Sequence, residues 1–587
     1  MNLRRPETSA ERLMQEQSPQ LSRTDRLLFA GLLIATLLTF SLTFNFGWVY
    51  DDLPQIPNNP NLQWNRLGFL FTHQLWASTA AMQSRFYRPF LTLWFVLNKT
   101  LFGLNPHWFH VTTVLAHVAA TALAFFVALA LLRDAGAALL AAAVFGLHPL
   151  QVESASWISG VNDPLAAALC FGSFLLYRRA LSKQQNRGIW WVLAGFLFLL
   201  ALFAKEVSIV LPGIILIDLW SVSRDRSSGA ARSALPVIST YGIVSVFWLA
   251  LRSWVLGGAT VISSPIPWST VLLSAPKIIL FNFYRVIYPR GLSPQYDLRP
   301  IDSPASSAFL LSALALAVLI ALAIMAARRD SRLWVAFAWL VLPVLPTLNL
   351  RWMNEDDFIH DRYLYMSMLG VGLLVGFAYS GIRKKWPEQK LVRPLAACIV
   401  AIFIFIFASA IQSQYWANDV SLFSRAVARA PNNEWAQLNY GSTLSARGKF
   451  ADAAPYFVRS YELKPGWRAA DFAGFAYQQA GDLSRAERWF NAALQMDPTL
   501  TAAWFGLGQV RLLQHRPEEA IPYLKKAVEL EPTAEGLHYE LGSAMEQASQ
   551  RAAAVEQYKT ELQLHPDQIG ARRALDRLEA TEVVPDK

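Results

Sequence analysis

The stretch LLFAGLLIATLLTFSLTFNFGWVYDD, residues 27–52, decides the class of this protein. Its first twenty residues are almost all apolar, and a run of that length can cross a bilayer as a helix. Five arginines precede the run, and the bulky Trp48 and Tyr50 follow it where a signal-peptide cleavage site requires small residues. We therefore predict an uncleaved signal anchor that ends beside two adjacent carboxylates, Asp51 and Asp52.

The composition extends this prediction to the rest of the chain. Of the 587 residues, 54% are hydrophobic and only 16% are charged, which is typical of a polytopic membrane protein with a soluble part attached. The apolar segments end near residue 412. The two cysteines, Cys170 and Cys398, both lie inside apolar runs, so the sequence predicts neither a disulfide framework nor a thiolate metal site.

We predict an all-α fold with about eleven membrane spans in residues 27–412, preceded by a cytoplasmic tail of residues 1–26. After the signal anchor, the predicted spans are 107–132, 136–152, 163–180, 189–204, 207–220, 235–256, 306–327, 333–350, 363–381 and 393–412.

The loops between these spans predict the orientation. With a cytoplasmic N-terminus, the cytoplasmic loops include YRRALSKQQNRG, SVSRDRSSGAARS, AARRDSR and GIRKKWPEQKLVR, all rich in Lys and Arg, as the positive-inside rule requires. Eleven spans then place the C-terminal part on the far side of the membrane, together with Asp51 and Asp52. Because the net charge of +10 is partly topological, it does not indicate nucleic-acid binding. We favour a bacterial inner membrane with a periplasmic C-terminal part; the alternative is the endoplasmic reticulum membrane.

A repeat follows the membrane part. Prolines recur at intervals of 33 or 34 residues, at Pro431, Pro465, Pro498, Pro532 and Pro566. Small residues precede the last four at fixed distances: Gly441, Gly474, Gly508 and Gly542, then Ala453, Ala486, Ala520 and Ala554. This is the tetratricopeptide pattern, so we predict about four full repeats in residues 413–580 and a tail of residues 581–587. The repeats are expected to bind a protein or peptide; the alternative is that they pack against the membrane domain or another subunit.

Acidic and imidazole side chains adjoin the predicted spans on the far side. Asp51 and Asp52 are the catalytic candidates, since a carboxylate in a half-dry cleft can take a proton from a hydroxyl. The alternative for this pair is the start of a solvated loop. His148 and Glu153 lie five residues apart at a span end, and we expect both in the same cleft. For Asp163, which a proline follows, we favour a helix cap.

Three cations lie on the same side and suit a phosphate. Arg362 begins a predicted helix and could clamp a phosphate with its planar guanidinium, while Lys205 lies between two apolar runs. Arg88 precedes an apolar segment that suits a helix at the membrane interface, and the alternative is that it lies beside lipid headgroups. The remaining polar residues expected in the cleft are Glu206, His360 and Asp361.

These residues together indicate a class of chemistry. The sequence has no P-loop, no dinucleotide-binding glycine pattern, no HExxH motif and no nucleophile elbow. Carboxylates suit hydroxyl activation, and cations suit a phosphate leaving group, so the set favours transfer of a group from a lipid-linked phosphate. A divalent ion, Mg²⁺ or Mn²⁺, bridging carboxylate and phosphate is compatible with this chemistry, although no ligand spacing demands it.

Five motifs resemble the transmembrane and tetratricopeptide-repeat O-mannosyltransferases and their bacterial relatives: VYDDLPQIPNN, YRPFLTLWFVLNKTLFGLNPHWFH, HPLQVESASWISGVNDPLAA, FAKEVSIVLP and DRYLYMSMLG. The resemblance implies a GT-C fold and a polyprenyl-phosphate sugar donor that is used on the lumenal or periplasmic face. It also implies that Asp51 and Asp52 form the family's acidic pair and that Arg362 belongs to its late-loop motif. Asp361 stands where Glu is more usual, and Asn162 stands where a basic residue is often found.

The resemblance implies an inverting transfer of mannose or another hexose. Asp51 or Asp52 would deprotonate an acceptor hydroxyl, with the choice between them open, and Arg362, Lys205 and Arg88 would stabilise the departing phosphate. The expected acceptor is a protein Ser or Thr that the repeats gather near the cleft. Two alternatives remain from the sequence: the same enzyme acting on a lipid or glycan, and a non-catalytic scaffold for an envelope complex.

Overall fold

A computed structural model describes residues 20–77, 86–182, 186–223, 230–258, 266–352, 357–386 and 388–580. These residues form helices and connecting loops without a β-strand, which confirms the predicted all-α fold. The chain divides into two compact units, Met1–Leu422 and Phe423–Lys587. Most of the two tails predicted at the chain ends, residues 1–19 and 581–587, lies outside the described residues.

The first unit is a bundle of long apolar helices joined by short helices and loops. Its helices are α1 Arg23–Phe40, α2 Asp52–Gln55, α3 Leu67–Thr72, α4 Pro89–Phe102, α5 Pro106–Leu132, α6 Ala135–Leu147, α7 Val152–Ser156, α8 Asn162–Ser182, α9 Arg187–Ala204, α10 Leu211–Ser223, α11 Ala230–Val255, α12 Trp268–Ile287, α13 Ser307–Arg329, α14 Leu333–Val341, α15 Met368–Lys385, α16 Glu388–Ser413 and α17 Asp419–Arg429, of which α17 extends across the division. Short 3₁₀ helices follow several of them, including Ile158–Val161, Glu206–Val210, Leu342–Leu348 and Asp361–Leu364.

The protein is an integral membrane protein, with fewer long apolar helices than the predicted eleven spans. Among the described residues, eight helices are long and apolar enough to cross a membrane, or nine if a bent pair is counted as one span. The bent pair joins α6 to residues 149–156 at an angle of 49° and corresponds to the predicted span 136–152. Predicted span 333–350 corresponds to an apolar helix that is shorter than a membrane span. Predicted spans 207–220 and 363–381 do not correspond to helices that are both long enough and apolar enough to cross a membrane.

Two sets of polar contacts mark the two ends of the bundle in the first unit. At one end, Arg383 pairs with Asp134, and the Ser221 hydroxyl donates to the Ser331 carbonyl at 2.8 Å. The other end carries the loop of Asp51 and the segments that contact it. Helices α10 and α15 begin near this second end and finish near the first, so they follow the direction of their neighbours although they are short or polar.

Helix α12 was not predicted as a span and is among the eight apolar helices. Its two ends contact the described residues 349–352 and 357–362 respectively. The Arg351 guanidinium lies over the Trp268 ring at 5.0 Å, and Arg285 pairs with Asp361 at 2.6 Å. Residues 288–302 return along the helix, since the Thr270 hydroxyl donates to Asp302 at 2.7 Å.

Small residues allow the closest helix contacts in this unit. A Cβ on Gly372 of α15 would collide with the backbone of Ala141 in α6, and a Cβ on Gly370 would collide with the backbone of Leu340 in α14. Because backbone cannot move aside as a flexible side chain can, these two glycines set the approach of α15 to both neighbours. The contact brings the loop that carries Arg362 close to the segment after α6.

The second unit is the predicted repeat solenoid. Its helices are α18 Glu434–Ser445, α19 Phe450–Leu463, α20 Trp467–Gln479, α21 Leu483–Met496, α22 Thr501–Leu513, α23 Pro517–Leu530, α24 Leu537–Gln547, α25 Arg551–Leu564 and α26 Ile569–Ala580. The repeating glycines act as expected: a Cβ on Gly441, Gly474, Gly508 or Gly542 would lie within about 2.8 Å of Phe457, Phe490, Leu524 or Tyr558 respectively. Each glycine therefore seats the large residue of the second helix of its own repeat.

Candidate functional site

A cavity of about 670 Å³ lies in the first unit, at the end of the bundle that carries Asp51. Its polar wall comes from the loops and from the ends of helices: Asp51, Gln55, Arg88, Ser159, Asn162, Asp163, Lys205, Glu206, Arg252, Asn349 and Arg362. Its apolar wall comes largely from helix α11 and two 3₁₀ helices: Val207, Ile209, Trp248, Leu249, Pro343, Leu345 and Pro346. One cavity thus offers surfaces for a charged group and for hydrocarbon.

The two adjacent carboxylates have different surroundings. Asp52 is fully buried, and its Oδ1 accepts hydrogen bonds from the Ser159 amide at 2.8 Å and the Ser159 hydroxyl at 2.6 Å. Its Oδ2 accepts from the Val49 amide at 3.1 Å. Asp51 lines the cavity, and no hydrogen bond to its side chain is found among the described residues. Asp52 therefore holds two loops together, while the Asp51 carboxylate is available to a ligand.

Burial changes the acidity of both groups. It raises the pKa of Asp51 to about 6, with the Arg362 guanidinium opposing the rise. It raises the pKa of Asp52 to about 7, against the hydrogen bonds from Ser159 and Val49. An Asp51 carboxyl with a pKa of about 6 is mostly ionised at neutral pH and is a stronger base than an exposed aspartate.

Arg362 reaches the cavity from the loop before α15 and is held by Glu153. The Arg362 backbone amide and Nη1 donate to the two carboxylate oxygens of Glu153, each at 3.0 Å. The guanidinium also lies over the Trp157 ring at 4.9 Å. Glu153 is itself buried and is absent from the cavity wall, so it orients Arg362 from behind.

The other two predicted cations are also paired with carboxylates. Lys205 forms a buried ion pair with Asp163, and Arg88 donates through Nε and Nη2 to Glu206 Oε2 at 2.9 and 2.8 Å. The prediction that Asp163 caps a helix is wrong, since it lies inside the first turn of α8 and pairs with Lys205. The structure therefore brings Arg88, Lys205, Glu206 and Asp163 to the wall of one cavity.

Besides Glu153, three residues expected in the cleft lie outside the cavity wall. His148 caps the 3₁₀ turn after α6 by accepting from the Leu150 amide, and its Nε2 lies 3.1 Å from the Val286 carbonyl. Asp361 accepts from Arg285 and from the Tyr296 hydroxyl, both at 2.6 Å. The Nδ1 of His360 lies 3.0 Å from the Pro294 carbonyl, and burial lowers the pKa of this ring well below its usual value. The placement corrects the expectation for all three: they fix the loops around the site.

Several cavity residues were missed in the sequence. Gln55, Ser159 and Asn349 are ordinary polar residues in loops or short helices, and no sequence signal distinguishes them. Arg252 had a signal, because an arginine near the end of an apolar helix is a functional candidate by default. It lines the cavity one turn after Trp248.

A metal ion has no evident protein site here. Among the described residues, no group of three or more His, Cys, Asp or Glu side chains is arranged to hold one. The carboxylates of the cavity are paired with cations, apart from Asp51.

Comparisons with known proteins find relatives that match most of this chain and a family model that matches part of the repeat unit. A tetratricopeptide-repeat family model matches residues 473–535 and 505–569. The chain is 25% identical over 490 residues to protein O-mannosyl-transferase TMTC1 of Homo sapiens, covering 73% of this chain and 54% of that protein. It is 23% identical over 578 residues to protein O-mannosyl-transferase TMTC3 of Mus musculus, covering 88% and 62%. The chain thus spans between about half and two thirds of the length of these relatives.

Solved structures match a smaller part of the chain. MamA from Desulfovibrio magneticus RS-1 (residues 41 to the end) is 23% identical, covers 25% of this chain and 85% of its own, and has a TM-score of 0.24. The tetratricopeptide-repeat protein YrrB is 21% identical, covers 27% and 83%, and also has a TM-score of 0.24.

The relatives confirm the resemblance that the five motifs suggested: this chain is a relative of the transmembrane and tetratricopeptide-repeat protein O-mannosyl-transferases.

Proposed function

We propose that this protein is a membrane glycosyltransferase that moves a sugar from a polyprenyl phosphate to a hydroxyl group of a protein. One observation carries the proposal: the Asp51 carboxylate, for which no hydrogen-bond partner is found among the described residues, lines the same cavity as Arg88, Lys205 and Arg362. The named activity of the relatives, protein O-mannosyl transfer, supports mannose as the sugar.

The walls of the cavity suit a donor of this kind. A polyprenyl-phosphate sugar has a hydrocarbon chain, one phosphate and one hexose. The hydrocarbon fits the apolar wall of Trp248, Leu249 and Leu345, which belong to helices of the apolar bundle. The phosphate fits Arg362 and Lys205, whose positive charges are most effective where water is excluded. A nucleotide sugar would not use the apolar wall.

The proposed reaction is a single displacement with inversion. Asp51 accepts the proton of the acceptor hydroxyl, and the hydroxyl oxygen attacks the anomeric carbon. The bond from that carbon to the phosphate oxygen breaks, and the electron pair leaves with the polyprenyl phosphate. Arg362, Lys205 and Arg88 stabilise the negative charge that grows on the phosphate. Asp52 is assigned a supporting role, because both of its oxygens already accept hydrogen bonds.

Asp51→Asn tests the proposal. The amide cannot accept the proton, so transfer from polyprenyl-phosphate mannose to a protein acceptor should fall about 10²- to 10⁴-fold. Binding of the donor should persist, because the cations are unchanged. Asp52→Asn is the matched comparison: it should lower the stability of the loop as well as the rate. Undiminished transfer by the Asp51→Asn protein would exclude the base assignment and favour the scaffold alternative.

We assign the reaction to the face opposite the cytoplasm. The Lys- and Arg-rich loops adjoin the end of the bundle where Arg383 pairs with Asp134, whereas the cavity lies at the other end. The positive-inside rule therefore favours a periplasmic or lumenal cavity. A single cysteine introduced at Leu53, which is exposed beside the acidic pair, should react with a membrane-impermeant thiol reagent in intact cells. Absence of labelling before permeabilisation would contradict this orientation.

The repeat unit is proposed to capture the polypeptide acceptor. Tetratricopeptide solenoids offer an extended surface on stacked helices, which suits a peptide segment. A chain that ends after residue 416 tests the role. It should still transfer sugar to a short Ser- or Thr-containing peptide at high concentration, while glycosylation of a whole protein should fall. Equal protein glycosylation by the truncated and full chains would remove the repeats from substrate capture.

A further inference from the structure

Three strongly buried residues of the cavity wall share a property that the proposed reaction does not use, and the less buried Asn349 has it as well. Gln55, Asn162 and Asp163 are 7%, 5% and 5% exposed, and all three line the cavity. Each keeps one buried side-chain oxygen that accepts no hydrogen bond from the described residues: Gln55 Oε1, Asn162 Oδ1 and Asp163 Oδ2. Buried acceptors without a donor are rare in folded proteins and call for a specific explanation, such as an absent ligand.

The three residues are neighbours through the acidic loop. Gln55 ends helix α2, which begins at Asp52. Asp52 accepts from Ser159, and the carbonyl of Ser159 accepts from the Asn162 side chain at 3.2 Å. That last bond also identifies the remaining atom of the Asn162 amide as the oxygen. Gln55, Asn162 and Asp163 therefore flank the joint between the loop of Asp51 and the start of α8; we call them the hydroxyl subsite.

The chemistry of this subsite differs from that of the cations. A phosphate oxygen is an acceptor and gains nothing from three further acceptors, one of them on a carboxylate. A sugar hydroxyl carries a donor hydrogen and fits an oxygen of this kind. Asp163 lies between the cations and the two amide side chains of the subsite. Its Oδ1 pairs with Lys205, while its Oδ2 has no partner among the described residues. The wall thus changes from phosphate-binding to hydroxyl-binding at one ion pair.

We propose that the hydroxyl subsite binds the ring hydroxyls of the transferred hexose and so selects the sugar. The inference rests on the proposed function, since it places the sugar of the same donor. With the phosphate on Lys205 and Arg362 and the hydroxyls on Gln55, Asn162 and Asp163, the anomeric carbon lies beside Asp51. The three acceptors then favour the lipid that carries a sugar over the same lipid without one, because only the sugar supplies the donor hydrogens that they lack.

A pair of binding measurements tests the subsite without relying on turnover. The full-length protein in nanodiscs is titrated with undecaprenyl phosphate and with undecaprenyl-phosphate mannose, and the ratio of the two Kd values is the readout. The wild type should prefer the mannosylated lipid. Gln55→Met, which removes the oxygen and keeps the length, and Asn162→Ala should each weaken binding of the mannosylated lipid about 3- to 10-fold. Binding of undecaprenyl phosphate should be unchanged.

Leu249→Ala is the matched control on the apolar wall, and it should weaken both lipids by the same factor. The inference is overturned if Gln55→Met and Asn162→Ala leave the Kd ratio at the wild-type value, whether both lipids weaken together or neither does. It is also overturned if the wild type binds both lipids equally, although Asp51-dependent transfer could then still be measured and the proposed function would stand. Binding of neither lipid by the wild type would remove the donor class and the subsite together.

Discussion

An ion pair beside the cavity and an ion pair of the repeat unit differ in burial and in the sequence separation of their partners. In the repeat unit, Lys526 pairs with Glu529 three residues away, and both side chains are well exposed. In the membrane unit, Glu153 pairs with Arg362, more than 200 residues away, with only 2% of the Glu153 side chain exposed. Exposed pairs between near neighbours contribute little, whereas a buried charge must be matched. The buried pairs therefore position side chains at the site, whereas the exposed pairs lie on the surface of the solenoid and contribute little to its stability.

Breaking a buried pair should have the largest effect on stability. Glu153→Ala leaves the Arg362 guanidinium without its carboxylate partner. The free energy of unfolding should therefore decrease by an amount near the lower end of the usual range of about 3–5 kcal/mol, because Arg362 is partly exposed. Transfer should fall with it, since Arg362 is no longer oriented. The apparent Tm of the purified protein and the transfer rate measure the two effects. Glu153→Gln is the control and should lose less stability.

A repeat glycine tests whether the solenoid depends on packing instead of charge. Gly508→Leu puts a large side chain where a Cβ alone would already meet Leu524, so the repeat unit should lose about 1–3 kcal/mol. Limited proteolysis of the second unit measures the loss. Gly466, which has open space around its Cβ position, supplies the control Gly466→Ala. Equal proteolysis of the two variants would contradict the packing role.

The pH dependence of transfer sharpens the contrast between the two carboxylates. The pKa of Asp51 is about 6, so its basic form predominates above that pH and disappears below it. The value of kcat/KM for the donor should therefore fall about tenfold for each pH unit below 6. In Asp51→Asn the residual rate should lose this acid limb. An unchanged limb in that variant would assign the titration to another group.

An exposed pair of the repeat unit should give the smallest effect. Lys526→Ala removes the partner of Glu529, and the stability should change by less than about 0.5 kcal/mol. Unfolding followed by circular dichroism measures it, beside Glu153→Ala under the same conditions. A loss from Lys526→Ala as large as that from Glu153→Ala would remove the distinction between the two kinds of pair.

Sequence patterns predicted the helices better than they predicted the site. The membrane class, the repeat period and the role of the repeating glycines followed from composition and spacing, because they depend on neighbours in the chain. Five of the predicted site residues, Asp51, Arg88, Lys205, Glu206 and Arg362, line one cavity, and their roles stay predictions. The placement of His148, His360 and Asp361 was not foreseen, since nothing in a sequence tells whether a polar group beside a span faces a cavity or a neighbouring loop.

Asp51 and Asp52 separate what a sequence can predict from what depends on tertiary packing. The sequence alone predicts that two carboxylates follow a membrane-spanning run and that a solenoid of about 34-residue repeats follows the bundle, because apolar length and periodicity are local properties of a chain. The folded arrangement is needed to see that Ser159, more than 100 residues away, donates hydrogen bonds to Asp52, while the Asp51 carboxylate faces the cavity. Hydrogen bonds between distant segments exist only after the helices have packed, so no local pattern could have told the two carboxylates apart.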